Sequence, residues 1–191
     1  MTDWLYSIDV YVFHFINQGL ATPVGDLFWE YITDFDKRLP IRILLLAVWL
    51  VLMIKGGTRG RTAALLAIPL LLISDQLSSA FLKPLVGRLR PCDVLPPEQI
   101  HLLVGCGGKS FPSSHAVNNF AMATMLSFYY PNARPHLHAW ATVITLSRVF
   151  VGVHYPSDII GGAIIGFLIG LLVTRAWQAL CREYLPSLAV R

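Results

Sequence analysis

The chain has 191 residues, of which 55% are hydrophobic and 14% charged, and its net charge is +4. Its mean hydropathy is +0.59, and a soluble domain usually carries about 25% charged residues. This composition excludes an ordinary soluble domain and predicts an all-α integral membrane protein. The sequence has no Lys/Arg run or basic helix face of the kind that nucleic-acid-binding proteins need, so we expect no nucleic-acid partner.

The apolar segments, taken in chain order, predict a six-helix transmembrane bundle in a single domain, residues 1–191. A weak span or interfacial helix runs from about Trp4 to Leu20, and the aromatic segment Val24 to Phe35 suits the headgroup level. The stronger spans cover residues 41–54, 62–82, 113–130, 136–153 and 158–180. We divide the domain into N-terminal helices, residues 1–61, and a core that bears the motifs, residues 62–180.

Six spans place both termini on one side of the membrane, and the positive-inside rule identifies this side as cytoplasmic. Basic residues concentrate in its connections, namely Lys55, Arg59, Arg61, Arg134, Arg175 and Arg182. The opposite side carries the long connection 83–111 and the short one at His154. We expect a multi-pass protein of the inner (plasma) membrane with a retained first segment and with both connections on the periplasmic or extracellular face.

Two polar segments at that face could bind an anion. Lys83 to Pro91 carries three cations, which either surround an anion or snorkel towards lipid headgroups. The second segment begins a helix, and we expect the hydroxyls of Ser113 and Ser114 to cap it. The free N–H groups of such a helix start bind anions, and His115 would face the bound group.

A third segment, Ser147 to Asp158, contains Arg148 and His154. Pro156 cannot continue a helix interior, so His154 should lie where one helix ends and the next begins. Asp158, in the first turn of the next helix, is then positioned to hold one nitrogen of His154. Each segment alone also fits snorkelling or capping, but three of them at one membrane face indicate phosphoryl transfer.

The three segments read KxxxxxxRP at residues 83–91, PSSH at 112–115 and SRxxxxxHxxxD at 147–158. In order and spacing they resemble the signature motifs of the type 2 phosphatidic acid phosphatase family, often called PAP2. The resemblance covers residues 83–158. It implies a membrane phosphatase that works through a phosphohistidine intermediate, without a metal ion or another cofactor.

The resemblance also implies a role for each motif residue. His154 would be the nucleophile, Asp158 its orienting partner, and His115 the general acid that protonates the leaving oxygen. The residues that would bind the phosphoryl oxygens are Lys83, Arg90, Ser113, Ser114 and Arg148. The family usually has glycine where this chain has Ser114, which puts the fine geometry beside that backbone amide in question.

Polar residues inside the apolar spans leave alternatives open. Asp75 either supports the site through Lys83, two turns further on the same helix face, or bonds a neighbouring helix. Asn118 and Asn119 either orient His115 or form interhelical hydrogen bonds.

Cysteine and glycine spacing add two further expectations. Cys92 and Cys106 both lie in the outer connection, where an oxidising compartment permits a disulfide but the sequence does not require one. Gly162, Gly166 and Gly170 recur every four residues, which predicts close helix packing.

We therefore predict hydrolysis of a lipid phosphate or diphosphate at the outer leaflet. Undecaprenyl diphosphate is the preferred substrate, with phosphatidylglycerol phosphate, phosphatidic acid and lipid A 1-phosphate as alternatives. A lipid or phosphate transporter would need the cations but not His115 or the pair of His154 with Asp158. A non-catalytic scaffold would need none of these residues, and a haloperoxidase is disfavoured by the membrane character of the chain.

Overall fold

The computed structural model describes residues 2–189, and every regular element in this range is helical. The α-helices are α1 (Thr2–Asn17), α2 (Pro23–Thr33), α3 (Leu39–Lys55), α4 (Gly57–Gln76), α5 (Lys83–Val86), α6 (Pro91–Val94), α7 (Ser114–Tyr129), α8 (Arg134–Phe150) and α9 (Pro156–Tyr184). A π-helical segment, Leu77–Leu82, joins α4 to α5. Short 3-10 helices lie at Phe35–Lys37, Pro97–Gln99, Pro131–Ala133 and Pro186–Leu188. The predicted all-helical class is confirmed.

Within residues 2–189, two helical segments are long and apolar enough to cross a membrane, namely Gly57–Val94 and Pro156–Tyr184. Helix α3 is 17 residues long and has no buried residue. Its apolar side chains therefore form an exposed surface that suits lipid better than water. The other predicted spans also coincide with helices, while the count of six spans and the orientation of the connections stay predictions.

The most extensive helix contact is the one between α7 and α9. A Cβ atom at Gly166 would overlap the carbonyl oxygen of Val117, and one at Gly170 would overlap that of Ala121. The predicted packing role of these glycines is confirmed, because only hydrogen fits between the two backbones. Helix α4 packs on the same core, to which it contributes the buried side chains of Leu66 and Leu70.

Helix α1 is attached to the turn between α8 and α9. The rings of Phe13 and Tyr155 meet edge to face at a centroid distance of 5.6 Å. The Asn17 side-chain amide donates hydrogen bonds of 2.8 Å to the carbonyl oxygens of Phe150 and His101. The backbone N–H of His101 returns a hydrogen bond of 2.8 Å to Asn17 Oδ1. The N-terminal helix and the outer connection therefore both pack against the segment that contains His154.

Replacing Gly166 with alanine should lower the unfolding temperature of the detergent-purified protein, because the added methyl group meets the backbone of α7. Overpacking of this kind costs about 1–3 kcal/mol, and we expect it to exceed the roughly 1 kcal/mol that alanine gains as a helix former. The matched control is Gly105→Ala, where the new Cβ meets no atom within 4 Å. Tryptophan fluorescence during heating measures both variants, and equal unfolding temperatures would contradict the packing role.

Candidate active site

His154 lies in the turn between α8 and α9, as the sequence predicted, and it is 1% exposed. Its backbone N–H donates to the carbonyl oxygen of Arg148 at 3.2 Å, which holds the turn against the end of α8. Gly152 has a φ of 84°, in the left-handed region that favours glycine. A Cβ atom there would also crowd the carbonyl oxygen of His101. The turn thus fixes the position of His154 relative to Arg148.

The carboxylate of Asp158 is fully buried and accepts hydrogen bonds at both oxygens. Oδ2 accepts from the Ser110 hydroxyl at 2.5 Å and from the backbone N–H of Tyr155 at 2.8 Å. Oδ1 accepts from Nη1 of Arg88 at 2.7 Å. A buried charge is tolerated only when it is paired and hydrogen-bonded, and these donors meet that requirement for Asp158.

Ser110 connects His154 to Asp158. Nδ1 of His154 lies 3.3 Å from Ser110 Oγ and 3.6 Å from Asp158 Oδ2. Because the Ser110 hydroxyl gives its proton to Asp158, its oxygen can only accept from His154. Nδ1 therefore carries the ring proton, and Nε2 keeps the lone pair that a nucleophile needs. Ser110 is a site residue that the motif pattern missed, since no spacing rule includes it.

Several buried side-chain donors find no hydrogen-bond partner within residues 2–189, and three of them come one from each motif: Arg90 Nε, Arg148 Nε and Ser113 Oγ. Other atoms of the two arginines are anchored. Nη1 of Arg90 donates to the carbonyl oxygen of Val153 at 3.3 Å, and Nη1 of Arg148 donates to Thr33 Oγ1 at 2.6 Å. Unpaired buried donors are rare in folded proteins, so this group indicates a binding place for an anion.

Lys83 and His115 lie within electrostatic range of these donors. The charge of Arg148 acts on both side chains, and His154 is also within electrostatic range of His115. Lys83 directly follows the π-helical segment Leu77–Leu82, which no sequence pattern predicted. The structure thus brings the three predicted motif segments together at one site.

The start of α7 differs from the sequence expectation in its two serines. Ser113 is the N-cap residue, but its hydroxyl makes no capping hydrogen bond. Ser114 already lies in the first helical turn, and its hydroxyl accepts a hydrogen bond of 3.1 Å from Ser78 of the π-helical segment. The prediction that both hydroxyls cap the helix is therefore wrong. The backbone N–H of Ser113 instead donates to the carbonyl oxygen of Asp158 at 3.2 Å.

The intramembrane polar residues beside the site link two helices. The Asn118 side chain donates to Asp75 Oδ1 at 3.2 Å, and the Ser74 hydroxyl donates to Asn118 Oδ1 at 2.7 Å. Asp75 and Asn118 therefore form the interhelical hydrogen bond, while the charge of Asp75 also acts on Lys83. The Asn119 side chain donates to the carbonyl oxygen of His115 at 2.9 Å, within its own helix.

Cys92 and Cys106 form a disulfide with their Cα atoms 6.6 Å apart. Together with Asp93 they are spaced as a metal site would require, but sulfurs bonded to each other cannot act as thiolate ligands. The disulfide closes part of the outer connection. Further along this connection, the N–H of Leu103 donates to the carbonyl oxygen of Val151, beside His154, at 3.3 Å.

The chain belongs to the PAP2 superfamily, whose family model matches residues 64–182. The lipid A 4'-phosphatase of Bacteroides thetaiotaomicron is 32% identical over 174 residues, which cover 87% of this chain and 75% of that protein. Undecaprenyl-diphosphatase BcrC of Bacillus subtilis is 28% identical over 80% of this chain and 75% of its own length. The family resemblance seen in the motifs is confirmed.

A solved structure shares the fold. The transmembrane PAP2-type phosphatidylglycerolphosphate phosphatase of Bacillus subtilis matches with a TM-score of 0.65 and 22% identity, covering 94% of this chain and 89% of that chain. This likeness shows that the two chains share the same fold.

Burial lowers the pKa of His154 from 6.5 to about 3, so the ring should stay neutral at physiological pH. A ¹⁵N NMR titration of histidine-labelled protein, with His154→Asn to assign the signal, should show no protonation of His154 between about pH 5 and 8. The unfolded chain binds this proton near pH 6.5 and the folded chain does not, so acidification below 6.5 should reduce stability. A His154 signal that titrates near pH 6.5 would contradict the burial argument.

Proposed function

We propose that this protein is a membrane phosphatase that removes a phosphoryl group from a lipid phosphate or diphosphate. The observation that carries the proposal is the set of unpaired buried donors on Arg90, Arg148 and Ser113 beside a neutral His154. A phosphoryl group offers these donors several anionic oxygens at once. Phosphoryl transfer requires a protein mainly to position the group and to neutralise its charge, which matches this arrangement.

In the first step, Nε2 of His154 attacks phosphorus, and the bond between phosphorus and the leaving oxygen breaks. The positive charge that develops on the ring is stabilised by Asp158, through Ser110 at Nδ1. His115, in its protonated form, gives a proton to the leaving oxygen, and the dephosphorylated lipid departs. The product on the enzyme is a phosphohistidine.

In the second step, neutral His115 takes a proton from water, whose oxygen attacks the phosphorus atom. The bond to His154 Nε2 breaks, inorganic phosphate leaves, and both histidines return to their starting states. Lys83, Arg90 and Arg148 supply the positive charge that holds the phosphoryl oxygens in both steps. Because these side chains carry out the neutralisation, we propose that the reaction needs no metal ion.

The relatives support a lipid as the substrate. The match to the lipid A 4'-phosphatase covers 87% of this chain, against 80% for the match to undecaprenyl-diphosphatase BcrC. We therefore rank a lipid A phosphate first for testing, ahead of the undecaprenyl diphosphate that the motifs alone favoured, and both stay candidates. The site would face the periplasm or cell exterior of a multi-pass inner-membrane domain. The disulfide of Cys92 with Cys106 supports this location, because disulfides persist in oxidising compartments.

Purified protein in detergent with a chelator should release phosphate from at least one of four lipids: bisphosphorylated lipid A, undecaprenyl diphosphate, phosphatidylglycerol phosphate and phosphatidic acid. His154→Ala should reduce kcat by about three orders of magnitude or more, because the covalent route is lost. The matched control is His101→Ala, since the His101 ring pairs with Asp26 at 2.9 Å outside the site. That variant should keep most of the activity.

Two results would contradict the proposal. One is wild-type protein that releases no phosphate from any of the four lipids, which would leave transport without hydrolysis as the alternative. The other is a His154→Ala variant as active as His101→Ala.

A further inference from the structure

Arg88 lies between two carboxylates that come from opposite ends of the chain. Its Nη1 donates to Asp158 Oδ1 at 2.7 Å, and its Nη2 donates to Asp9 Oδ2 at 2.5 Å. The Asp158 side chain is 0% exposed and that of Asp9 is 8% exposed. One guanidinium group therefore joins α1 to the carboxylate that acts on His154.

Asp9 is itself fixed by the start of α9. Its Oδ1 accepts from the backbone N–H of Ser157 at 2.9 Å, and its Oδ2 accepts from the Ser157 hydroxyl at 2.5 Å. The first N–H groups of a helix lack partners in the helix and favour a negative charge nearby. Ser157 also accepts a hydrogen bond of 2.6 Å from Nη1 of Arg88. Asp9, Arg88 and Ser157 thus form a closed network around Asp158.

Arg88 differs from the other cations of its motif in what its nitrogens bind. Both of its terminal nitrogens are occupied by carboxylates, and its guanidinium carbon lies 4.3 Å from the ring centre of Tyr155. Lys83 and Arg90 make no ion pair with any residue that the structure describes. The sequence groups these cations together, whereas the structure directs Arg88 towards the nucleophile's partner and leaves the others for the anion.

A single guanidinium shared by two carboxylates has an electrostatic effect on Asp158. An arginine paired with Asp158 alone would neutralise most of its charge and make it a poorer partner for the ring of His154. Asp9 takes up part of the positive charge of Arg88. Asp158 is then held in place and keeps enough negative charge to stabilise the ring when the phosphohistidine forms.

We propose that Asp9 and Arg88 are positioning residues. They hold the Asp158 carboxylate in line with His154 and determine how much of the negative charge of Asp158 remains. This inference rests on the reaction proposed above. The proposal extends the functional site into α1. The family model begins only at residue 64 and does not include that helix.

The test compares Asp9→Asn with a matched Asp26→Asn control. Asp9→Asn keeps the shape of the side chain and leaves Arg88 to neutralise Asp158 alone, so kcat should fall about 10-fold, at the lower end of the range for groups that orient a reactive residue. KM should stay within about twofold, because neither Asp9 nor Arg88 binds the phosphoryl group. Asp26→Asn removes a carboxylate that pairs with His101 and should change neither constant.

A double-mutant cycle then asks whether Asp9 acts through Arg88. Arg88→Ala leaves two buried carboxylates without a cation, and kcat should fall about 100-fold, while Arg88→Lys should restore part of it by returning one charge. Adding Asp9→Asn to Arg88→Ala should cost no further activity, and should recover some, because it removes one of two repelling charges. Gel filtration and circular dichroism identify any variant that fails to fold. The Arg88→Lys background replaces Arg88→Ala in the cycle if the latter fails.

The substrate is bisphosphorylated lipid A, or undecaprenyl diphosphate where the wild type hydrolyses only that lipid. Wild-type protein that hydrolyses none of the four lipids would overturn the proposed function and this inference with it. If the wild type is active, either of two results would overturn this inference and leave the proposed function in place. In the first, Asp9→Asn has the same kcat and KM as Asp26→Asn. In the second, the losses of kcat from Asp9→Asn and Arg88→Ala multiply in the double variant.

Discussion

The contact between the starts of α7 and α9 determines the distance between Ser113 and the turn that holds His154, the proposed nucleophile. The backbone N–H of Ser113 donates to the carbonyl oxygen of Asp158, so the two helix starts are joined directly. One turn further along α9, a Cβ atom at Gly162 would meet the backbone of Ser113 and the side chain of Ala116. The geometry of the site therefore depends on the lack of side chains on one face of α9. Long polar side chains, which adjust easily, would hold such a geometry less firmly.

Charge in the site is divided between two groups of residues. Arg88 is balanced by Asp9 and Asp158, and Asp158 in turn lies beside His154. Lys83 and Arg90 make no ion pair within the part of the chain that the structure describes. Partly buried positive charge without a counterion destabilises a folded protein. In the proposed reaction an anionic phosphoryl group would relieve this cost when it binds, and part of its affinity would come from supplying the missing counterion.

Local patterns were sufficient to predict the long helices and to locate the three motifs, but not α5, α6 or the π-helical segment. Apolar runs mark α4 and α9, and Pro156 marks the turn that holds His154. The contribution of Asp9 could not be predicted in this way, because its partner Ser157 is 148 residues away along the chain. The capping error at Ser114 has a similar cause. Its hydroxyl can bond either its own helix or a neighbouring one, and the position of Ser78 decides between them. Contacts of this kind depend on packing between elements, which no spacing rule contains.

The π-helical segment Leu77–Leu82 places one more residue between Asp75 and Lys83 than the same number of α-helical turns would hold. Each residue of an α-helix corresponds to a rotation of about 100°, and the wider π turn takes up the additional residue with little change of direction beyond it. Loss of one residue from this segment would let it rewind as an α-helix, with Asp75 and Lys83 on nearly the same relative faces. Two chains can thus differ by one residue in front of the first motif and still present the same lysine at the end of the helix.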